Sequence, residues 1–119
     1  MVLVDTSVWV SHFKGGNPQL EALLIKGRVV CHPFIIGELA CGNLKNRKEI
    51  LSLLEALPTA TTADHKEVLY FIEQHRLMGI GLGYIDVHLL ASARLSRIRF
   101  WTKDKKLREA AVKLNASYG

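Results

Sequence analysis

The start of this sequence constrains its fold most, because a short apolar run there ends directly in a carboxylate. Residues 2–4, Val-Leu-Val, have the pattern of a strand buried on both faces, as in the centre of a parallel sheet. Asp5 follows, and the hydroxyls of Thr6 and Ser7 come next. Ligands of open α/β sheets bind just beyond the carboxyl ends of the strands. The run therefore predicts an α/β fold with Asp5 at a site. In the alternative interpretation, Asp5 only caps the following helix.

Length and composition limit the class of protein. The 119 residues predict one domain, spanning 1–119, that is large enough to bury a core without disulfide bonds or a structural metal. No apolar run approaches the ~18 residues of a membrane span, and the pattern of the first residues, interrupted by Asp5, predicts no signal peptide. Cys31 and Cys41 lack the paired spacing of zinc sites, which disfavours the alternative of a metal site formed with His32. The cysteine usage predicts a reduced, cytoplasmic protein.

A second carboxylate follows a second predicted strand near the end of the chain. Residues 98–102 have the composition of a strand, and Lys103 and Asp104 come directly after them. A helix is predicted over 105–114. If the two strands are parallel neighbours, Asp5 and Asp104 meet at the same edge of the sheet.

Two more carboxylates lie on predicted helices. Glu38 belongs to a helix that begins at Pro33, where it shares a face with apolar residues three and four positions away. A carboxylate on an apolar stripe is costly unless it has a partner such as an ion. Alternatively, Glu38 lies at the edge of the stripe and reaches water. Asp86 lies in the first turn of a helix that begins at Tyr84, where the helix dipole favours a negative charge.

The chain between these helices contains features for which we favour structural interpretations. Asp64 is predicted to cap a helix that ends near Met78. Residues 79–83, Gly-Ile-Gly-Leu-Gly, do not form a dinucleotide loop, because Tyr84 replaces a required glycine and a helix precedes them; a hinge is predicted instead. His88 points away from Asp86, since two helical residues separated by two positions face nearly opposite ways, so it is predicted to pack or to lie at the surface.

The acidic residues at these four places predict a site for a hard cation. Oxygen-only ligands suit Mg²⁺ or Mn²⁺, and such an ion relieves the repulsion between clustered carboxylates. The ion can activate water and stabilise the leaving oxygen of a phosphodiester. The chain has a formal charge of +5 and a pI near 9.4, which favours a polyanionic partner. Seven basic residues lie close together in the sequence, and some of them are predicted to contact phosphates: Arg94, Arg97, Arg99, Lys103, Lys105, Lys106 and Arg108.

These segments together resemble a PIN-domain ribonuclease, and most of all the toxin half of VapBC-type toxin–antitoxin pairs. The resemblance covers nearly the whole chain. It rests on Val-Asp-Thr-Ser-Val-Trp at 4–9, Gly-Glu-Leu at 37–39, Gly-Ile-Gly at 79–81, Asp-Val-His-Leu-Leu-Ala-Ser-Ala at 86–93 and Thr-Lys-Asp at 102–104. It implies a three-layer α/β/α sandwich around a small parallel sheet of four or five strands. The uncertainty in strand number arises because the chain ends at Gly119, where family members usually continue into a further strand.

The resemblance also implies an activity, a metal and partners. The activity is hydrolysis of RNA with Mg²⁺ or Mn²⁺, and the partners are RNA, a VapB-like antitoxin that plugs the site, and a second copy in a homodimer. By position, the catalytic and metal-binding residues are Asp5, Glu38, Asp86 and Asp104, and the supporting hydroxyls are those of Thr6, Ser7 and Thr102.

Three alternatives differ in function. A stand-alone RNA-processing nuclease keeps the chemistry but lacks the antitoxin. A non-catalytic member binds RNA, or serves only as the co-repressor of an antitoxin. An aspartyl phosphatase needs a second aspartate two residues after Asp5, where Ser7 stands, so that class is disfavoured.

Overall fold

A computed structural model describes all residues, 1–119. Three short strands form one parallel sheet, with Val2–Val4 as β1, Val29–Val30 as β2 and Arg99–Trp101 as β3. Seven helices cover the sheet in a three-layer α/β/α arrangement: α1 (Thr6–Gly15), α2 (Pro18–Ile25), α3 (Pro33–Ala40), α4 (Arg47–Glu55), α5 (His65–His75), α6 (Tyr84–Ser96) and α7 (Lys105–Lys113). None of the helices is both long and apolar enough to cross a membrane.

The sheet has the order β2-β1-β3. Val2 lies opposite Val29 on one side and Arg99 on the other, and all pairing is parallel. All three residues of β1 are buried, because neighbouring strands flank it and helices cover both faces. The prediction of a central strand at 2–4, next to the strand near residue 100, is confirmed.

The prediction of four or five strands is wrong, since only three form. The two missing strands are reduced to single bridges at the sheet's outer edges, where Thr59 pairs with Cys31 and Ser117 pairs with Phe100. A strand as short as β2 offers few backbone groups for an outer neighbour to pair with. At the end of the chain, a single bridge at Ser117 therefore replaces the further strand.

The order of the strands creates a switch point at the carboxyl end of β1. The chain moves from β1 to β2 on one side, then returns across β1 to form β3 on the other. Connections that leave in opposite directions open a crevice at the carboxyl ends of the strands, where ligands of open α/β sheets bind. The fold thereby places Asp5 and the residues after β3 at this crevice.

The core lies on both faces of β1. Its largest fully buried side chains include Leu3, Ile35, Leu89, Leu90 and Phe100. Asp64 begins α5 with a reciprocal capping box, in which its side chain accepts from the Glu67 N–H and Glu67 accepts from the Asp64 N–H. The predicted capping role of Asp64 is confirmed.

Candidate active site

Asp5 is a buried carboxylate held by two hydroxyls. It is 7% exposed, and its Oδ2 accepts hydrogen bonds of 2.8 Å from Ser7 Oγ and from Thr102 Oγ1. Its side chain makes no capping hydrogen bond to α1. The interpretation of Asp5 as only a helix cap is therefore wrong. Its other oxygen, Oδ1, has no hydrogen-bond partner within the protein and is available to a ligand.

The two hydroxyls are themselves fixed by the backbone after β3. Ser7 Oγ accepts from the Lys103 N–H at 2.9 Å, and Thr102 Oγ1 accepts from the Asp104 N–H at 3.1 Å. Because each hydroxyl oxygen accepts from an amide, each hydroxyl proton is left for Asp5. Of the two hydroxyls on α1 that were predicted to support the carboxylates, Ser7 contacts Asp5, whereas Thr6 has another partner.

Asp104 stands beside this network at the start of α7. Its Oδ1 accepts from the Leu107 N–H at 2.9 Å and caps the helix, while the residue remains exposed. The positive end of the helix dipole stabilises a carboxylate at this position. A capping bond to one oxygen leaves the other free to face the crevice.

Asp86 joins the same group from the first turn of α6. It is half-buried, and its Oδ2 accepts from the Gly83 N–H at 3.3 Å. The pKa of Asp86 is raised, first by burial and then by the negative charges of Asp5 and Asp104, although the Gly83 N–H opposes the shift. Asp86 therefore lies close enough to both Asp5 and Asp104 to be affected by their charges.

Glu38 approaches this group through Thr6. Thr6 follows Asp5 on α1, and its Oγ1 donates to Glu38 Oε1 on α3 at 2.8 Å. Glu38 is exposed, so the predicted burial of its carboxylate on an apolar stripe is wrong and the alternative, an edge position that reaches water, is confirmed. The hydrogen bond from Thr6 links Glu38 to the residue that directly follows Asp5.

The carboxylates fit a hydrated hard cation rather than a preformed cage. No three His, Cys, Asp or Glu side chains are placed to ligate one ion together. Mg²⁺ usually keeps several of its waters and takes only one or two protein carboxylates directly. The free Oδ1 of Asp5 and the mutual repulsion felt at Asp86 match that mode of binding. Cys31 is buried and Cys41 exposed, and they form no metal site with His32.

A buried link between α3 and α6 was missed in the sequence. His32 precedes Pro33, and its Nδ1 accepts from the Phe34 N–H at 3.0 Å, so its Nε2–H is available to Ser92 Oγ on α6 at 3.0 Å. The hydroxyl of Ser92 also accepts from the Ala63 N–H. The position of His32 just before a proline-initiated helix is the signal that could have revealed its capping role.

Burial, and secondarily the neighbouring His88, lowers the pKa of His32 to about 4. His88 itself is buried, with its ring 4.3 Å from that of Phe34 and both ring nitrogens without a partner. Packing, one of the two interpretations offered for His88, is confirmed. The His32–Ser92 link thus ties the helix that carries Glu38 to the helix that carries Asp86.

The structure divides the predicted basic set between two edges of the sheet. Lys103 and Lys105 follow β3 at the carboxylate edge, where Lys103 Nζ donates to Ser11 Oγ at 2.8 Å. Arg97 and Arg99 lie at the start of β3, at the opposite edge, and Arg94 lies nearby at the end of α6. The last three cannot contact a phosphate that is bound at the carboxylates.

The glycine-rich segment before α6 contains one position that favours glycine for its backbone. Gly81 adopts φ +88°, a conformation that other residues rarely adopt. A Cβ there would also lie 2.6 Å from Lys106 Nζ, but this atom is the end of a flexible side chain that can move away. The segment has no phosphate-loop motif.

Comparison with known proteins identifies relatives along nearly the whole chain. A family model described as "PIN domain" matches residues 2–113. The chain is 42% identical over 113 residues to "Ribonuclease VapC32" from two strains of Mycobacterium tuberculosis, CDC 1551 / Oshkosh and ATCC 25618 / H37Rv, covering 94% of this chain and 91% of the relative.

Two crystal structures share the fold. PAE2754 from Pyrobaculum aerophilum superposes with a TM-score of 0.62 at 16% identity, covering 98% of this chain and 90% of the other. FitAcB from Neisseria gonorrhoeae superposes with a TM-score of 0.60 at 18% identity, covering 94% of each chain.

Proposed function

Because the chain belongs to the PIN-domain family, we propose that it is a VapC-like ribonuclease that hydrolyses RNA phosphodiester bonds with Mg²⁺ or Mn²⁺. The relative that supports this proposal is named a ribonuclease, and its similarity extends over 94% of this chain. We further propose that residues 1–119 act as one domain in the cytoplasm.

One structural observation carries the proposal. Asp5, Asp86 and Asp104 come from three separate elements, yet they share the crevice at the carboxyl end of β1, where the charges of Asp5 and Asp104 raise the pKa of Asp86. Like charges brought together in this way destabilise the protein unless a cation binds among them. A crevice at a switch point is also the position at which an α/β sheet exposes its ligand to solvent.

The residues of the chain have distinct roles in this proposal. Asp5 presents Oδ1 to the ion, because Ser7 and Thr102 occupy its Oδ2. Asp86 and Asp104 complete the negative site, and Glu38 is oriented by Thr6. A bound Mg²⁺ or Mn²⁺ supplies charge that activates a water and stabilises the leaving oxygen. Lys103 and Lys105 lie at the same edge and attract the phosphates of the substrate.

We also propose a VapB-like antitoxin as partner. A groove of about 750 Å³ runs from Thr6 and Glu38 to the segment before α4. Its apolar walls are Val10, Phe13, Leu39, Leu44 and Ile50. An amphipathic segment of the antitoxin fits such a groove, and a basic side chain at its end would reach Glu38.

A homodimer is proposed on separate grounds. Tyr70 and Leu95 are 67% and 45% exposed, and both line a hollow of about 460 Å³ between α5 and α6. Apolar side chains grouped on one surface are typical of an association site.

Cleavage by the purified protein tests the proposal. The protein, freed of any antitoxin, is expected to cut RNA with Mn²⁺ or Mg²⁺ and to stop in chelator. Asp86→Asn is expected to lose activity by orders of magnitude while remaining folded. Glu73→Gln removes an exposed carboxylate from α5 and serves as the matched control. Equal activity in both variants would contradict the assignment, and RNA binding without cleavage would favour the non-catalytic alternative.

A further inference from the structure

A cleft lined by three arginines lies at the edge of the sheet opposite the carboxylates. Its volume is about 500 Å³, and its lining includes Arg94, Arg97, Arg99 and Asn115 but no acidic residue. All three arginines are exposed. Positive charges that share one cleft without an acidic neighbour attract a polyanion. We call the hollow that these three arginines line the arginine cleft.

Two of the guanidinium groups are held in place by the backbone. Arg94 Nη1 donates to the Leu114 carbonyl at 2.7 Å, and Arg99 Nη1 donates to the Asn115 carbonyl at 2.8 Å. Each guanidinium has five N–H donors, so most of its donors remain free for a ligand. Groups that are already fixed lose less entropy when a ligand binds. These two bonds could also serve only to satisfy carbonyls at the end of α7.

Arg97 has no such structural explanation. It makes no side-chain hydrogen bond within the protein, and it ends α6 with φ 55° and ψ 44°. Glycine or asparagine adopts this left-handed conformation at lower cost than arginine. Arg76 ends α5 in the same conformation, so what distinguishes Arg97 is that its unpaired guanidinium lines a cleft with two other arginines.

The arginine cleft is too far from the carboxylates to share a phosphate with them. α6 runs from Asp86 at one edge to Arg97 at the other, eleven residue steps or about 16 Å at 1.5 Å per residue. The strand β1 gives a similar separation from Met1 to Asp5, about 13 Å at 3.3 Å per residue. The path over the surface is longer than either straight line.

We propose that the arginine cleft binds backbone phosphates of the substrate RNA at a second site, remote from the bond that is cut. The inference rests on the proposed ribonuclease function and extends it to a substrate that reaches around the protein. Contacts to phosphates position a nucleic acid without reading its bases. The cleft therefore adds affinity for long RNA and leaves the chemistry at the carboxylates unchanged.

The test compares Arg97→Asn with Arg76→Asn. Arg76 also ends a helix, α5, in the left-handed conformation, with φ 51° and ψ 54°, so the control makes the same change of charge and backbone elsewhere. Binding of an RNA of about 30 nucleotides, about 100 Å long when stacked, is measured in chelator as a function of salt. The longest extent of the protein is 40 Å, so this RNA reaches both edges.

Arg97→Asn is expected to flatten the slope of log K against log salt by about 0.7, the contribution of one contact to single-stranded RNA. Between 50 and 200 mM salt, the affinity of the parent then falls about 2.6-fold more than that of the variant. The melting temperature should stay equal or rise, because asparagine suits the backbone. Arg76→Asn should keep the parent slope.

Cleavage adds a readout that depends on the length of the substrate. With Mn²⁺, Arg97→Asn should raise KM for the long RNA without changing kcat, and should leave a tetranucleotide, about 10 Å long, unaffected. An unchanged slope, an equal loss in Arg76→Asn, or equal rises in KM for both lengths would overturn the proposal. If the parent cuts neither RNA, the ribonuclease proposal fails, while the slopes in chelator still support or overturn the arginine cleft.

Discussion

Thr102 is the residue at which the stability and the activity of the candidate site can be tested together. It is 4% exposed, directly after β3, and its hydroxyl donates to Asp5 Oδ2 at 2.8 Å while it accepts from the Asp104 N–H at 3.1 Å. Thr102→Val keeps the shape of the side chain and removes both bonds. Thr102→Ser keeps the hydroxyl and removes one methyl group, so it is the matched control.

The two bonds set the expected size of the effect. A hydrogen bond to a charged group contributes about 1.5–3 kcal/mol and one between neutral groups about 0.5–1.5 kcal/mol. Loss of both predicts that Thr102→Val lowers the free energy of unfolding by about 2–4 kcal/mol. A domain of this size has only about 5–15 kcal/mol in total. Thr102→Ser should cost about 1 kcal/mol, the value of a buried methyl group.

Urea unfolding in chelator measures the stability, and RNA cleavage with Mn²⁺ measures the site. Asp5 keeps only the Ser7 bond in Thr102→Val, so its free oxygen is less well placed, and cleavage should fall by roughly tenfold or more. Thr102→Ser should stay within about threefold of the parent. If Thr102→Val unfolds within about 0.5 kcal/mol of the parent and cuts RNA at the parent rate, the hydroxyl does not organise Asp5 and the reasoning is refuted.

Three other outcomes are expected. The pKa of His32 is lowered to about 4 in the folded protein, against about 6.5 in the unfolded chain. As the pH falls, the unfolded chain therefore binds a proton before the folded protein does. The free energy of unfolding keeps its full value above about pH 6.5 and loses about 3 kcal/mol as the pH falls to 4. His32→Asn keeps a capping acceptor but cannot titrate. In urea unfolding, it should therefore lose less free energy of unfolding between pH 7 and pH 4.5 than the parent does, and equal losses would contradict the lowered pKa of His32. Burial and the neighbouring carboxylates raise the pKa of Asp86, so its charge is unfavourable in the metal-free protein. Asp86→Asn should therefore have a higher melting temperature than the parent in chelator, and its melting temperature should rise less when Mn²⁺ is added. A melting temperature below that of the parent at every Mn²⁺ concentration would refute the shared site. Leu44→Asp should weaken binding of the VapB-like antitoxin in the groove, whereas Leu53→Asp, at an exposed position outside the groove, should not. Equal binding by both variants would exclude the groove as the docking site.

The sequence predicted the parts of the fold that follow from local pattern. The run at 2–4 has the pattern of a doubly buried strand, and a carboxylate directly after such a strand is expected at the carboxyl edge of the sheet. The number of strands was predicted wrongly, because whether residues near Thr59 and Ser117 pair once or several times depends on the length of their neighbours rather than on their own composition. Glu38 was misjudged for a similar reason, since helical periodicity gives the face of a side chain but not its depth. The His32–Ser92 link joins positions 60 residues apart, and nothing local indicates such a pair.

The division of the basic residues into two groups follows from the topology of the sheet. Residues 94–108 are close in sequence, which suggested one phosphate-binding surface. In a βαβ arrangement, however, the chain leaves the carboxyl edge along a helix and enters the next parallel strand at its amino edge. α6 begins near Asp5 and is followed by Arg97, and the three residues of β3 then return the chain to the edge at which Lys103 lies. Basic residues before β3 must therefore lie at the amino edge, and those after it must lie beside the carboxylates. The positive charge thus forms two separate surfaces, and an RNA that contacts both must reach around the protein.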